Sequence, residues 1–136
     1  MQVDDPTDEP PVPAPPVISV SRELEALLQQ KRILLVDDQG YNIDALIMIM
    51  KYSIKVKDIQ DLSDKAYDGK QALDAVIKNV ERNRPIKHCN YELILMDCNM
   101  PIMDGYTATL KIRQYLYEQG IKQPIIVAVT GHTEDE

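Results

Sequence analysis

Three aspartates carry the chemistry that this chain can do. Asp97 closes the apolar run Leu93-Ile94-Leu95-Met96, and Cys98-Asn99-Met100-Pro101-Ile102-Met103-Asp104-Gly105 then turns the chain. A second run, Ile33-Leu34-Leu35-Val36, ends the same way, in Asp37-Asp38. Continuous apolar runs of this length read as strands of a buried parallel sheet. Ligands of such sheets sit beyond the carboxyl ends of the strands. Two adjacent strands would gather all three carboxylates in one cleft, where they repel each other unless a cation compensates. A hard divalent ion such as magnesium suits that role, because it prefers oxygen ligands and keeps several waters.

The elements that must position these groups alternate from Lys31 onward, which predicts a parallel sheet with helices on both faces. Ile33 to Val36 is the first strand. Ile43, Leu46, Ile47 and Met50 follow at helical spacing. Residues 52–66 are ambiguous: a second strand should end near Ala66, with an insertion or helix extension before it. Asp68-Gly69 marks the turn into a second helix, whose stripe is Leu73, Val76, Ile77 and Val80. Arg84-Pro85 closes that helix. Leu93 to Met96 is the third strand. A third helix runs from about Tyr106 to Glu118, with Ala108, Ile112 and Leu116 inward and Gly120 terminating it. Asp104 is expected to cap it, and Gly105 to adopt a backbone conformation that a β-carbon would strain. Ile125 to Val129 is the fourth strand.

The 136 residues allow one domain. Residues 1–20 hold six of the nine prolines and four acidic residues, and read as a disordered or extended linker. In residues 21–30, Ser21 offers an N-cap, and Leu24, Leu27 and Leu28 mark a short amphipathic helix. Residues 31–136 form the third unit. The net charge of −7 is concentrated before residue 31, and no basic patch suits nucleic acid. Cys89 and Cys98 lack the spacing of a metal or redox pair, and two thiols without a signal sequence suit a reducing compartment. No apolar run approaches the roughly 20 residues that span a bilayer. A cytoplasmic chain, or the cytoplasmic part of a membrane sensor, is expected.

Four segments, Ile33 to Asp38, Ala66-Tyr67-Asp68-Gly69-Lys70-Gln71-Ala72-Leu73, Leu93 to Gly105 and Ile125 to Thr130, together resemble the receiver domain of two-component response regulators and hybrid sensor histidine kinases. The Met-Asp-Cys-Asn-Met-Pro-Ile-Met-Asp-Gly string is its most specific part. The resemblance implies a flavodoxin-like, doubly wound sheet of order 2-1-3-4. It implies phosphoryl transfer from a histidine kinase or phosphotransfer protein to Asp97, in a histidine-to-aspartate relay rather than as a free-standing enzyme. Asp38 would ligate Mg2+ directly, Asp37 mainly through water, and Asn99 through its backbone carbonyl, beside Asp97 itself. Thr130 matches the switch hydroxyl.

The sequence departs from this family after Thr130. A receiver normally continues with a helix, a fifth strand ending in lysine, and a last helix, and none of these follows. A fragment or truncated product is one expectation. The other is that the helix at 21–30, or a partner, covers the apolar edge left by the fourth strand. Without the lysine, phosphorylation and switching are expected to be impaired, and a truncated receiver acting only as an interaction module is the alternative function. A nucleotide hydrolase is excluded by the lack of a Gly-x-x-x-x-Gly-Lys-Ser/Thr loop. A phosphatase with alternate aspartates is excluded because Asp37 and Asp38 are adjacent.

Overall fold

The computed structural model describes residues 31–129. The linker expected at 1–20, the helix expected at 21–30 and Thr130 lie outside the described residues. Strands β1 (Ile33–Val36), β2 (Ser63–Ala66), β3 (Leu93–Asp97) and β4 (Ile125–Val129) form one parallel sheet in the order β2-β1-β3-β4. Parallel neighbours need crossovers, which are supplied by helices α1 (Gly40–Tyr52), α3 (Gly69–Arg82) and α4 (Gly105–Glu118). The ambiguous stretch before β2 is resolved by α2 (Ile59–Leu62), a single turn that buries Ile59. Lys55 and Asp58, both at positive φ, bend the chain into it.

Period-two alternation splits β1 between two cores. Leu35 and Ile33 pack with Ile43, Ile47 and Met50 of α1, and with Ile59. Leu34 and Val36 pack with Ala72, Val76 and Val80 of α3, and with Ala108, Ile112 and Leu116 of α4. The stripes expected on these helices are therefore the buried ones, although Leu46, Leu73 and Ile77 are only half-buried. β3 differs from the fully buried strand its composition suggests. Ile94 and Met96 are buried, whereas Leu93 and Leu95 are half-buried. The reason is that both α3 and α4 stand on the Ile94 face, and α1 alone stands on the other.

The helix ends explain the register of the loops. Asp68 accepts a hydrogen bond from the Gln71 N–H at 2.7 Å, and Gln71 Oε1 returns one from the Tyr67 N–H at 2.9 Å, a reciprocal cap on α3. Asp104 accepts from the Thr107 N–H at 2.7 Å and caps α4. At the other end of α4, Gly120 takes φ of +68°, Ile121 N–H reaches Leu116 O, and Gly120 N–H reaches Tyr117 O. That pair of bonds is a Schellman closure, and only glycine enters its left-handed position without strain.

Candidate phosphoacceptor and metal site

The register places Val36 beside Met96, so Asp37 and Asp97 emerge side by side at the carboxyl end of the sheet. Asp37, Asp38 and Asp97 each offer a carboxylate oxygen within 4.8 Å of the others. Among the described residues this is the one acidic or thiol/imidazole cluster dense enough to hold an ion. Adjacent oxygens on one octahedral magnesium stand about 3 Å apart, so carboxylates up to 4.8 Å apart must draw closer to share an ion. Three carboxylate oxygen donors, with no cationic side chain among the described residues bridging them, fit a hard divalent ion.

Each carboxylate has its own support. Asp37 is buried, and its Oδ1 accepts the Gln39 N–H at 2.9 Å and the Asn42 amide at 3.2 Å. This turn holds the Asp37 carboxylate in place. Asp97 Oδ1 accepts the Asn99 N–H at 3.2 Å. Partial loss of solvent raises the Asp97 pKa above the usual carboxylate range; the Asn99 bond opposes that, while the charges on Asp37 and Asp38 push it further up. A cation among the three would relieve that repulsion.

The loop after Asp97 is built tightly. Gly105 N–H reaches back to Cys98 O at 3.2 Å, and Met103 N–H to Pro101 O at 2.7 Å. The latter closes a γ-turn around Ile102, whose φ is +70°. A β-branched residue at positive φ is strained. Gly105 is explained differently from the expectation. It is an α4 residue with no positive φ; what it requires is space, because a β-carbon there would stand 2.0 Å from the main-chain oxygen of Asp97. Gly69 plays the same part against the Met103 carbonyl, at 2.3 Å.

The structure thus brings Asp37, Asp38, Asp97 and the Asn99 backbone together. Thr130 lies outside the described residues, but its neighbour Val129 is the register partner of Asp97. Asn42 and the strained backbone at Ile102 were not singled out from the sequence, and Gly69, read there as a turn, serves as a close-approach position. Asn42 was findable in principle, since it stands in the first turn of the helix that follows an Asp at a strand end. Cys98, next to Asp97, is a free and buried thiol.

Residues 33–136 match the sequence family described as response regulator receiver domain. The chain belongs to that family. Two-component system protein A of Emericella nidulans is 33% identical over 93% of this chain and 16% of its own length. Histidine kinase CKI1 of Arabidopsis thaliana is 33% identical over 79% of this chain and 9% of its own length. The chain therefore spans only a small part of these curated relatives. The crystal structure of the CKI1 receiver domain complexed with Mg2+ superposes with a TM-score of 0.61 and 34% identity, covering 76% of this chain and 69% of that one. The present receiver shares its flavodoxin-like fold and is a signalling module of the two-component type. No described helix is long and apolar enough to cross a membrane.

Proposed function

We propose that this receiver accepts a phosphoryl group on Asp97, in a magnesium-dependent step of a histidine-to-aspartate relay. One observation carries the reading: the three carboxylates converge within 4.8 Å at the carboxyl ends of adjacent strands. An Asp97 carboxylate oxygen attacks the phosphorus of a donor phosphohistidine. The new P–O bond forms as the P–N bond breaks, the imidazole leaves with the electron pair, and an aspartyl phosphate remains. Such transfer asks little covalent chemistry of the protein; positioning and charge compensation dominate.

Asp37, Asp38, Asp97 and the Asn99 carbonyl are the residues that would hold the cation, which when bound supplies charge neutralisation for the phosphoryl oxygens. Asn42 and the Gln39 N–H keep Asp37 turned toward the cluster. The Asn99 N–H holds one oxygen of Asp97 and leaves the other for attack. Thr130, next to Val129, is the proposed switch hydroxyl toward the phosphoryl group. The donors implied are a histidine kinase or a phosphotransfer protein, and the setting is cytoplasmic.

The test uses a phosphorylated histidine phosphotransfer domain as donor. Label should move to the wild-type chain with Mg2+, should fail to move to Asp97→Asn, and should fail with EDTA. Equal transfer to wild type and Asp97→Asn would overturn the assignment.

A further inference from the structure

We propose that the end of this domain opposite Asp97 is a docking face for an anionic lipid surface, built from lysines and exposed isoleucines on the loops that lead into the strands. The proposal is independent of the chemistry at Asp97.

The face follows from register and topology. Ile33 pairs with Ser63 and with Leu93, and Leu93 pairs with Ile125, so all four strands begin in one row. The connections that lead toward them, residues 31–32, 53–58, 83–92 and 119–124, therefore share one end of the domain. Those connections hold seven lysines and arginines against two acidic residues, Asp58 and Glu92, and Glu92 lies 3.5 Å from Arg32. The single turn α2 adds Asp61. The connections at the opposite end, 37–39, 67–68 and 98–104, hold four aspartates and no lysine or arginine. The fold thus separates charge that the sequence disperses, with acid around Asp97 and base at the far end.

The basic loops also expose apolar side chains. Ile54 precedes Lys55 and is 64% exposed, and Ile86 precedes Lys87 and is 49% exposed. Neither stands on β4: Ile54 lies between α1 and α2, and Ile86 between α3 and β3. Tyr52, the last residue of α1, is exposed, with the Lys51 ammonium 5.3 Å from its ring centre. A third pair, Ile121-Lys122, turns its isoleucine inward and its lysine outward. There a cavity of about 500 Å3 is lined by Val80, Pro85, Ile86 and Ile121, with Arg84 and Lys87 in its wall. Lys55, Lys87 and Lys122 are exposed and make no ion pair among the described residues. Lysines beyond a helix C-terminus can serve the helix dipole alone. That role gives no reason for isoleucine beside them. Exposed apolar side chains flanked by lysine suit a surface with negative headgroups outside and hydrocarbon just beneath. A phosphate backbone would attract the lysines but offer nothing to Ile54 and Ile86. Docked in this way, the domain holds Asp97 away from the lipid and open to a phosphoryl donor.

Cosedimentation of the full chain with lipid vesicles tests this. At about 0.1 M salt, vesicles of phosphatidylcholine with about one-third phosphatidylserine should bind the chain, and pure phosphatidylcholine vesicles should bind it about tenfold or more weakly. The whole chain carries a net charge of −7, so such binding requires a localised basic face. Raising the salt to about 0.5 M should release most of it. The triple variant Lys55→Gln, Lys87→Gln, Lys122→Gln should weaken binding about tenfold or more, and so should Ile54→Ser with Ile86→Ser. Lys70→Gln with Lys111→Gln, on α3 and α4 away from this end, should change it by less than about twofold. All of these side chains are exposed, and circular dichroism checks that each variant folds. Three results would overturn the proposal: no binding, or equal binding to both kinds of vesicle; unchanged binding in the triple lysine variant; or unchanged binding in the isoleucine variant, which makes an acidic polymer or protein the partner.

Discussion

Gly105 stands directly against the main-chain carbonyl of Asp97, so closely that a β-carbon would lie 2.0 Å from its oxygen. The first residue of α4 and the backbone that carries the Asp97 carboxylate are one mechanical unit. Gly105→Ala must push the helix start or the strand end aside. It should cost about 2–3 kcal/mol in denaturant unfolding and should strongly reduce phosphoryl uptake at Asp97. Gly40→Ala is the matched control, since nothing lies within 4 Å of its added carbon. It should be neutral or stabilising by about 0.5 kcal/mol.

Ile102 holds φ of +70° in the γ-turn that follows β3. It is 82% exposed, so little packing is lost when it is replaced. Backbone strain of about 1–3 kcal/mol should be relieved by Ile102→Gly, offset by about 0.5–1 kcal/mol of extra chain entropy. A net gain of about 0.5–1 kcal/mol is expected in equilibrium denaturation. A loss would show that the turn is not strained.

The reciprocal cap at Asp68 and Gln71 holds the start of α3 beside the loop that bears Ile102 and Met103, through the bond from Gly69 N–H to Met103 O at 3.0 Å. Asp68→Ala should therefore destabilise by about 1–2 kcal/mol. Gln71→Ala should cost less, because Tyr67 N–H is at an exposed position and can turn to water.

Asp97 is the group whose charge the fold disfavours, through partial desolvation and through Asp37 and Asp38. A carboxyl with a raised folded-state pKa favours folding most below its unfolded value, about 3.9. That contribution falls as pH climbs through the folded value and is gone above it. Metal-free Asp97→Asn should thus be more stable than wild type at neutral pH. The gain should be small, because Asp97 is only partly removed from solvent. The difference should disappear in acid, and Mg2+ should narrow it by stabilising the wild type alone.

A buried amide cluster steadies the opposite end of the domain. Asn79 Oδ1 accepts the Asn90 N–H at 2.7 Å, and Asn83 donates to His88 O at 2.9 Å and to Asn90 Oδ1 at 3.2 Å. Asn79→Ala leaves the buried Asn90 N–H without that acceptor and should cost about 2–3 kcal/mol. Thermal unfolding should show this loss with no change in Mg2+ affinity.

The sheet order and the gathering of Asp37, Asp38 and Asp97 were legible because apolar runs mark strands, and parallel pairing forces their ends together. The helical stripes were legible for the same reason, since period alone identifies Val76 or Ile112 as inward. The role of Gly105 was not, because close approach to a carbonyl distant along the chain leaves no local pattern. Asn79 carries no local signal either; its partners at the end of α3 and on the loop beyond it make it part of the core. The exposure of Val127 accords with the apolar edge expected at the fourth strand.

The central claim is that Asp97 takes up phosphate with the help of a cation held by its neighbours. The most direct measurement treats the full chain with acetyl phosphate and Mg2+, reduces the product with borohydride, and locates the modified residue by mass spectrometry. Conversion of Asp97 to homoserine, lost with EDTA and in Asp38→Ala, is the result expected. Modification at a different residue, or undiminished modification of Asp97 without a divalent ion, would contradict the account.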